Sequence, residues 1–275
     1  MLLGYNTNGF AHHRLEDALH ILADLGYQSV AITLDYHALN PYDDRLPAQL
    51  ASAKKTMHQR GLRCVIETGA RFLLDPLHKH QPTLVSATAD ERERRLDFLR
   101  RSVDIARELQ ADAVSFWSGT VRDGAPDAVW MERLVDGCVR LSDYAAAAGV
   151  RLAFEPEPGM AIDTMDRFAA LNARLARPNF GLTIDIGHLH CMGEVPIAGH
   201  LRRWQSVLWN IHIEDMVKGI HDHRMFGEGE IDFGPVFAAL KEIGYAGGVH
   251  VELSRHSHDA VETARRSLAF LRARL

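Results

Sequence analysis

Eight short apolar runs, each separated from the next by a stretch that carries helical periodicity, limit what this chain can become. The runs are LLGYN (2–6), SVAITL (29–34), RCVIET (63–68), AVSFWSG (113–119), RLAFEP (151–156), GLTIDI (181–186), LWNIHI (208–213) and GVHVEL (248–253). After the first run, RLEDALHILADLGY places Leu15, Ala18, Leu19, Leu22 and Leu25 on one face, because residues three and four apart share a side of a helix. Gly26 and Gly61 stop the first two helices, since glycine enters the left-handed conformation without steric cost. The second helix is expected from about Pro47 to Arg60. The third is expected from about Ala89 to Leu109, with Leu96, Leu99, Val103 and Ala106 at helical spacing. The stretch 196–205 has the least regular helical pattern.

Near-continuous apolar strands flanked by helices indicate a parallel sheet covered on both faces. Eight strand–helix units point to an α/β fold, a closed (β/α)8 TIM barrel in one domain spanning 1–275. A chain of 275 residues that is 47% hydrophobic can bury the core such a barrel needs, since the architecture takes roughly 250 residues. An open doubly wound sheet is the alternative, but no GxGxxG follows the first run. No Pro/Ser-rich linker divides the sequence. The longer inserts, 69–88 and 214–232, follow the third and seventh runs, which in a barrel sets both on the face that carries catalytic loops.

Composition removes several function classes. The net charge of −5, with acidic and basic residues intermixed, offers no stripe for a phosphate backbone, so no nucleic acid is expected as a partner. Cys64, Cys138 and Cys191 lie far apart and form neither a disulfide framework nor a thiolate zinc motif. The start lacks a basic segment followed by an apolar one, and no stretch holds eighteen uninterrupted apolar residues. A soluble cytoplasmic protein with no membrane partner is the expectation.

Glu155, Asp185, His212 and Glu252 close the fifth, sixth, seventh and eighth runs. A parallel barrel brings its strand C-termini around one mouth, so these residues would meet despite their separation in sequence. Three carboxylates without a cation would repel one another and be costly to desolvate. One oxygen-rich set with a single imidazole suits Mn²⁺ or Mg²⁺ and also admits Zn²⁺, Fe²⁺ or Co²⁺. Taken singly, Glu155 and Asp185 could cap helices, His212 could be a core histidine, and Glu252 could pair with Arg255. Their joint placement at four neighbouring strand ends favours a metal site.

The segments FEPEPG, TIDIGH, NIHIED with the later FGEGEIDF, and VHVEL resemble the metal-binding segments of the xylose isomerase-like TIM barrels. That superfamily comprises sugar isomerases, ketose epimerases, inosose dehydratases and apurinic-site endonucleases, and the match covers most of the second half of the chain. The resemblance implies that Glu155, Asp185, His212 and Glu252 hold the metal, and that His188 contacts substrate or ligates a further metal. It also implies that Glu155 and Glu252 flank a sugar, one removing a proton beside a carbonyl and the other returning it through an enediolate. Physical chemistry agrees, because a cation that polarises a carbonyl acidifies the neighbouring C–H and keeps its carboxylate ligands deprotonated. The implied function is a divalent-metal-dependent isomerase or epimerase of a sugar or related polyhydroxy carbonyl compound. A keto-sugar or inosose dehydratase is the runner-up, since the same enediolate can expel a β-hydroxyl. An apurinic-site endonuclease and a non-catalytic sugar-binding barrel rank below these.

His221 and His223 stand where the endonuclease branch places a pair of metal ligands, so with His188 they form a candidate second metal site. Against that branch, Glu67 and Trp117 close the third and fourth runs where it uses histidines. Further substrate-binding candidates are Glu157, two residues beyond Glu155 and otherwise a helix-entry carboxylate; Glu67, which could also help a second cation or pair with Arg71; and Trp117, as a stacking face for sugar or as packing. Arg224 and Arg255 are candidates for a phosphate or carboxylate, or for balancing the acidic cluster. His250 is expected to face outward toward a helix. The resemblance also admits a homo-oligomer.

Overall fold

The computed structural model describes all residues from Met1 to Leu275. Eight parallel strands close into a barrel. They are β1 (Leu2–Asn6), β2 (Ser29–Thr33), β3 (Arg63–Glu67), β4 (Val114–Phe116), β5 (Leu152–Phe154), β6 (Phe180–Asp185), β7 (Leu208–Ile213) and, following a hairpin of β8 (Asp215–Val217) and β9 (Ile220–Arg224), β10 (Gly248–Val251). Around the barrel run β1, β10, β7, β6, β5, β4, β3 and β2, closing on β1. The helices are α1 (Leu15–Leu25), α2 (Leu46–Arg60), α3 (Ala89–Leu109), α4 (Asp127–Ala147), α5 (Met165–Leu175), α6 (Ile186–Cys191), α7 (Ile197–Trp204), α8 (Phe233–Glu242) and α9 (Ala260–Arg272). The predicted (β/α)8 barrel is therefore observed, with α3 spanning the expected residues. No helix is long and apolar enough to cross a membrane.

Local chemistry sets the helix ends. Gly26 and Gly61 adopt φ of 102° and 65° as the stops of α1 and α2. At the start of α3 the Thr88 side chain accepts from the Glu91 backbone while the Glu91 carboxylate accepts from the Thr88 backbone, satisfying two otherwise orphaned amides.

Successive side chains of a strand point to opposite faces, and here the two faces differ in chemistry. Leu3, Val30, Ile66, Phe116, Phe154, Leu182, Ile211 and Val249 belong to the apolar layer between barrel and helices. Phe116, Phe154, Phe168 and Phe180 form an aromatic cluster within it, with contacting ring centroids 5.2–6.2 Å apart. Each fully buried phenyl contributes about 1.5–3 kcal/mol. The alternate residues face the barrel interior, which is small and polar. Ser115 on β4 bonds Thr183 on β6 across β5 at 3.0 Å, and Thr33 donates to Asn6 at 2.7 Å.

His250 lies inside the barrel, contrary to the outward orientation expected from the sequence. Its Nδ1 donates to Asn210 Oδ1 at 2.8 Å and its Nε2 accepts from Ser29 Oγ at 2.8 Å. The ring crosses β1 where Gly4 leaves room: a Cβ at Gly4 would lie 2.2 Å from His250 Cδ2. Burial holds the imidazole down to about 3, so it is neutral and can play both hydrogen-bonding roles.

Candidate metal centre

Strand alternation carries the site. Two residues above the interior layer of Ala153, Thr183, Asn210 and His250 stand Glu155, Asp185, His212 and Glu252, at or just beyond the C-terminal ends of β5, β6, β7 and β10. Their donor atoms lie within 4.8 Å of one another. His212 Nδ1 is 3.0 Å from Glu155 Oε1 and 2.9 Å from Glu252 Oε2. Asp185 serves two purposes through its two oxygens: Oδ1 accepts from the His188 backbone N–H at 2.8 Å as the cap of α6, whereas Oδ2 is buried with no hydrogen-bond partner. The capping and metal-ligand readings of this residue are thus compatible.

Electrostatics describe a site short of positive charge. Burial alone would make His212 less basic, but Glu155, Glu67 and Glu252 outweigh it and drive the imidazole well above its ordinary range. Glu155 is pushed up to about 8, chiefly by burial. Glu157 is raised well above the usual carboxylate range by burial and by Glu155. A buried, unpartnered Asp185 oxygen facing two carboxylates and an imidazole nitrogen fits an oxygen-preferring divalent cation, whose charge would relieve all three strains.

Glu67, at the end of β3, sits against the far side of His212. The His212 Nε2–H donates to Glu67 Oε1 at 2.9 Å, and Asn210 Nδ2 donates to the same oxygen at 3.1 Å. That bond secures the Nε2 proton, so that a cation displacing the Nδ1 proton would meet a lone pair directed at the candidate metal position. Glu67 engages His212 and Asn210, and no ion pair joins it to Arg71. Partners of this kind tune metal affinity by 10–100-fold, so Glu67→Ala is expected to weaken Mn²⁺ binding by about that factor. Titration calorimetry with Mn²⁺ checks it, and an unchanged affinity would refute the role.

Above the four residues opens a cavity of about 290 Å³ lined by, among others, Glu157, Trp117, His80, Arg71, Lys79 and Arg255. Trp117 forms one wall, with the His80 ring 5.2 Å away and the Arg95 guanidinium 4.4 Å from its ring centroid. Arg95 is fully buried without a carboxylate partner, and burial lowers it to about 9. Arg255 pairs with Asp222 at 2.7 Å. Arg224 spends its guanidinium on Asp222 and the Glu228 carbonyl, and does not line the cavity.

The insert 214–232, expected to supply a functional loop, is built as the β8–β9 hairpin, whose second strand delivers His221 and His223. Their rings meet that of His188 from α6. His188 Nε2 lies 3.1 Å from His221 Nε2, which lies 3.3 Å from His223 Nε2. Burial lowers both His188, to about 3, and His221. Asn210, Asn8 and Glu214 carry no role in the sequence reading, and His250 was expected on the outer face. Asn210 and His250 each precede a ligand by two residues, which places them on the same inward face. Asn8 Nδ2 donates to Glu252 Oε1 at 2.7 Å.

Fold and site together define a (β/α)8 barrel with a carboxylate–histidine centre at its C-terminal mouth. The chain belongs to the family of xylose isomerase-like TIM barrels, whose model matches residues 19–274. It is 23% identical over 261 residues to an L-ribulose-5-phosphate 3-epimerase, UlaE, of Escherichia coli O17:K52:H18, covering 94% of this chain and 89% of that one. The corresponding protein of Salmonella paratyphi C is 26% identical over 227 residues, covering 82% and 80%. Among solved structures, the D-allulose 3-epimerase of Methylomonas sp. superposes with a TM-score of 0.80 at 21% identity, over 100% of this chain and 98% of that one. The 3-keto-D-glucoside 4-epimerase YcjR of E. coli gives 0.79 at 17% identity, over 99% of each.

Proposed function

We propose that the protein is a divalent-metal-dependent epimerase acting beside the carbonyl of a ketose or ketose phosphate. The observation that carries this reading is the placement of Glu155 and Glu252 against the same nitrogen of His212, each within about 3 Å. A cation held by Glu155, Asp185, His212 and Glu252 supplies Lewis acidity toward a substrate carbonyl and its neighbouring hydroxyl. Asn8 anchors one oxygen of Glu252, and Glu67 fixes His212, so both carboxylates are oriented before substrate enters. One removes the proton from the substrate carbon and the other delivers a proton to the opposite face of the planar enediolate, which inverts that carbon. Trp117 and Glu157 wall the sugar, while Arg71 and Lys79, which pair with no carboxylate, line the mouth where an anionic end would lie. Relatives named as 3-epimerases of L-ribulose 5-phosphate and D-allulose support both the reaction class and the substrate class.

We also assign His188, His221 and His223 to a second cation. Nitrogens separated by 3.1 and 3.3 Å match the edges of a coordination sphere with metal–nitrogen bonds of about 2.0–2.1 Å.

The test is a panel of ketoses and ketose phosphates, including L-ribulose 5-phosphate and D-allulose, incubated with Mn²⁺ in D₂O. An epimer carrying one deuterium at the inverted carbon is the expected product. A product lighter by one water would establish a dehydratase instead, and metal-loaded protein that binds a sugar without turnover would refute catalysis.

A further inference from the structure

Glu214 is a fully buried carboxyl group beside the candidate centre. It follows His212 by two residues, its side chain is 0% exposed, and no N–H or hydroxyl donor reaches either carboxylate oxygen, whose nearest polar company is the Asp185 carboxyl. Its donor atoms lie within 4.8 Å of those of Asp185 and His223, and Oε2 is 3.7 Å from His223 Nδ1. Space for it is made by Gly187, where a Cβ would collide with Glu214 Oε1. A buried carboxylate without partners is expensive to keep, and a nearby cation is one physical means of offsetting it.

The cation is already implied next door. His188, His221 and His223 present three nitrogens to one point, but neutral imidazoles contribute no charge to balance a divalent ion in a buried setting. His223 Nδ1 is 3.1 Å from the Glu252 carbonyl; donating there leaves Nε2 free to ligate. Asp185 Oδ2, also unpartnered, is 3.5 Å from His188 Nε2 and so stands between the two candidate centres.

We propose that Glu214, acting beside Asp185 and His223, supplies the negative charge that fixes a second divalent cation among His188, His221 and His223. The centre is then dinuclear, with Asp185 shared between the two ions. This rests on the second-cation assignment and is independent of which sugar is processed. The competing account is that Glu214 keeps a proton and faces Asp185 as a neutral acid. Glutamine copies that neutral acid in shape, so Glu214→Gln separates the two.

Mn²⁺ alone is titrated into the full chain, with stoichiometry read by calorimetry and by metal content after gel filtration. The wild type is expected to bind two Mn²⁺ per chain. Glu214→Gln is expected to retain the first with unchanged affinity and to weaken the second about 10–100-fold. His221→Ala, partly exposed and thus less disruptive to folding, is expected to lose the same ion. Two ions in Glu214→Gln with wild-type affinities would overturn the proposal and leave the second ion standing. Weakening of both ions equally would also overturn it, since Glu214 would then be supporting the whole mouth. A single ion in the wild type would overturn the second-cation assignment itself, without bearing on epimerisation at the first.

Discussion

Glu252→Gln and Glu155→Gln are each expected to lower kcat for epimerisation by about 10²–10⁴-fold, the range that a positioned acid or base contributes. Both must be assayed at Mn²⁺ concentrations that saturate the variants, because each residue is also a proposed ligand. The informative readout is hydrogen exchange rather than rate alone. With two opposed carboxylates, each epimer exposes its proton to a different one. Glu155→Gln should therefore still exchange the proton of one epimer with D₂O, and Glu252→Gln only that of the other. Loss of exchange from both epimers in both variants, with metal content intact, would contradict a division of labour between the two carboxylates. Full activity in either variant would remove that residue from the proton transfer.

Stripping the divalent ion is expected to abolish turnover and to lower thermal stability. An ion present at 100 times its Kd adds about 2.7 kcal/mol to the folded state. At roughly 2–4 °C per kcal/mol for a chain of this size class, Tm should fall by about 5–10 °C on chelation and recover with Mn²⁺. The affinity should also depend on pH. In the metal-free state His212 is raised well above its ordinary value by Glu155, Glu67 and Glu252 acting against burial, and Glu155 is raised to about 8 by burial. Both hold protons near neutrality that a cation must displace, so binding tightens as pH rises toward and past 8 and releases protons as it occurs. Calorimetry in buffers of different ionisation enthalpy counts those protons. An affinity that is flat from pH 6 to 8 would show that neither group ligates.

The barrel and the proposed ligand set were legible because each rests on a pattern that survives without neighbours. Apolar runs define strands, and a charged residue closing such a run can only emerge at the mouth. What escaped reading was the inward half of those same strands. LWNIHI and GVHVEL look continuously apolar once tryptophan, valine and isoleucine are counted, yet Asn210 and His250 occupy the interior face directly below His212 and Glu252. Period-two reading from each ligand backward would have found them, since a strand keeps alternate residues on one side. The hairpin within 214–232 was hidden for a different reason. IHDHR has few apolar residues, and its strand character comes from pairing with Asp215–Val217 rather than from its own propensity. Glu67 was expected to meet substrate, a second cation or Arg71. It meets His212 across the barrel, a contact that only the closure of β3 opposite β7 creates.

The alternation of oily outer face and polar inner face on every barrel strand has a consequence for how such a chain can change over evolutionary time. A substitution touches either the helix-facing layer or the chemistry, because neighbouring residues answer to different environments. An insertion or deletion of one residue within a strand touches both at once. It would turn His212 and Asn210 into the helix layer and present Ile211 and Ile213 to the barrel interior. Length variation in descendants of this sequence should accordingly be confined to the connections, whereas point changes can explore new substrates at the mouth while the eight strands keep their residue count.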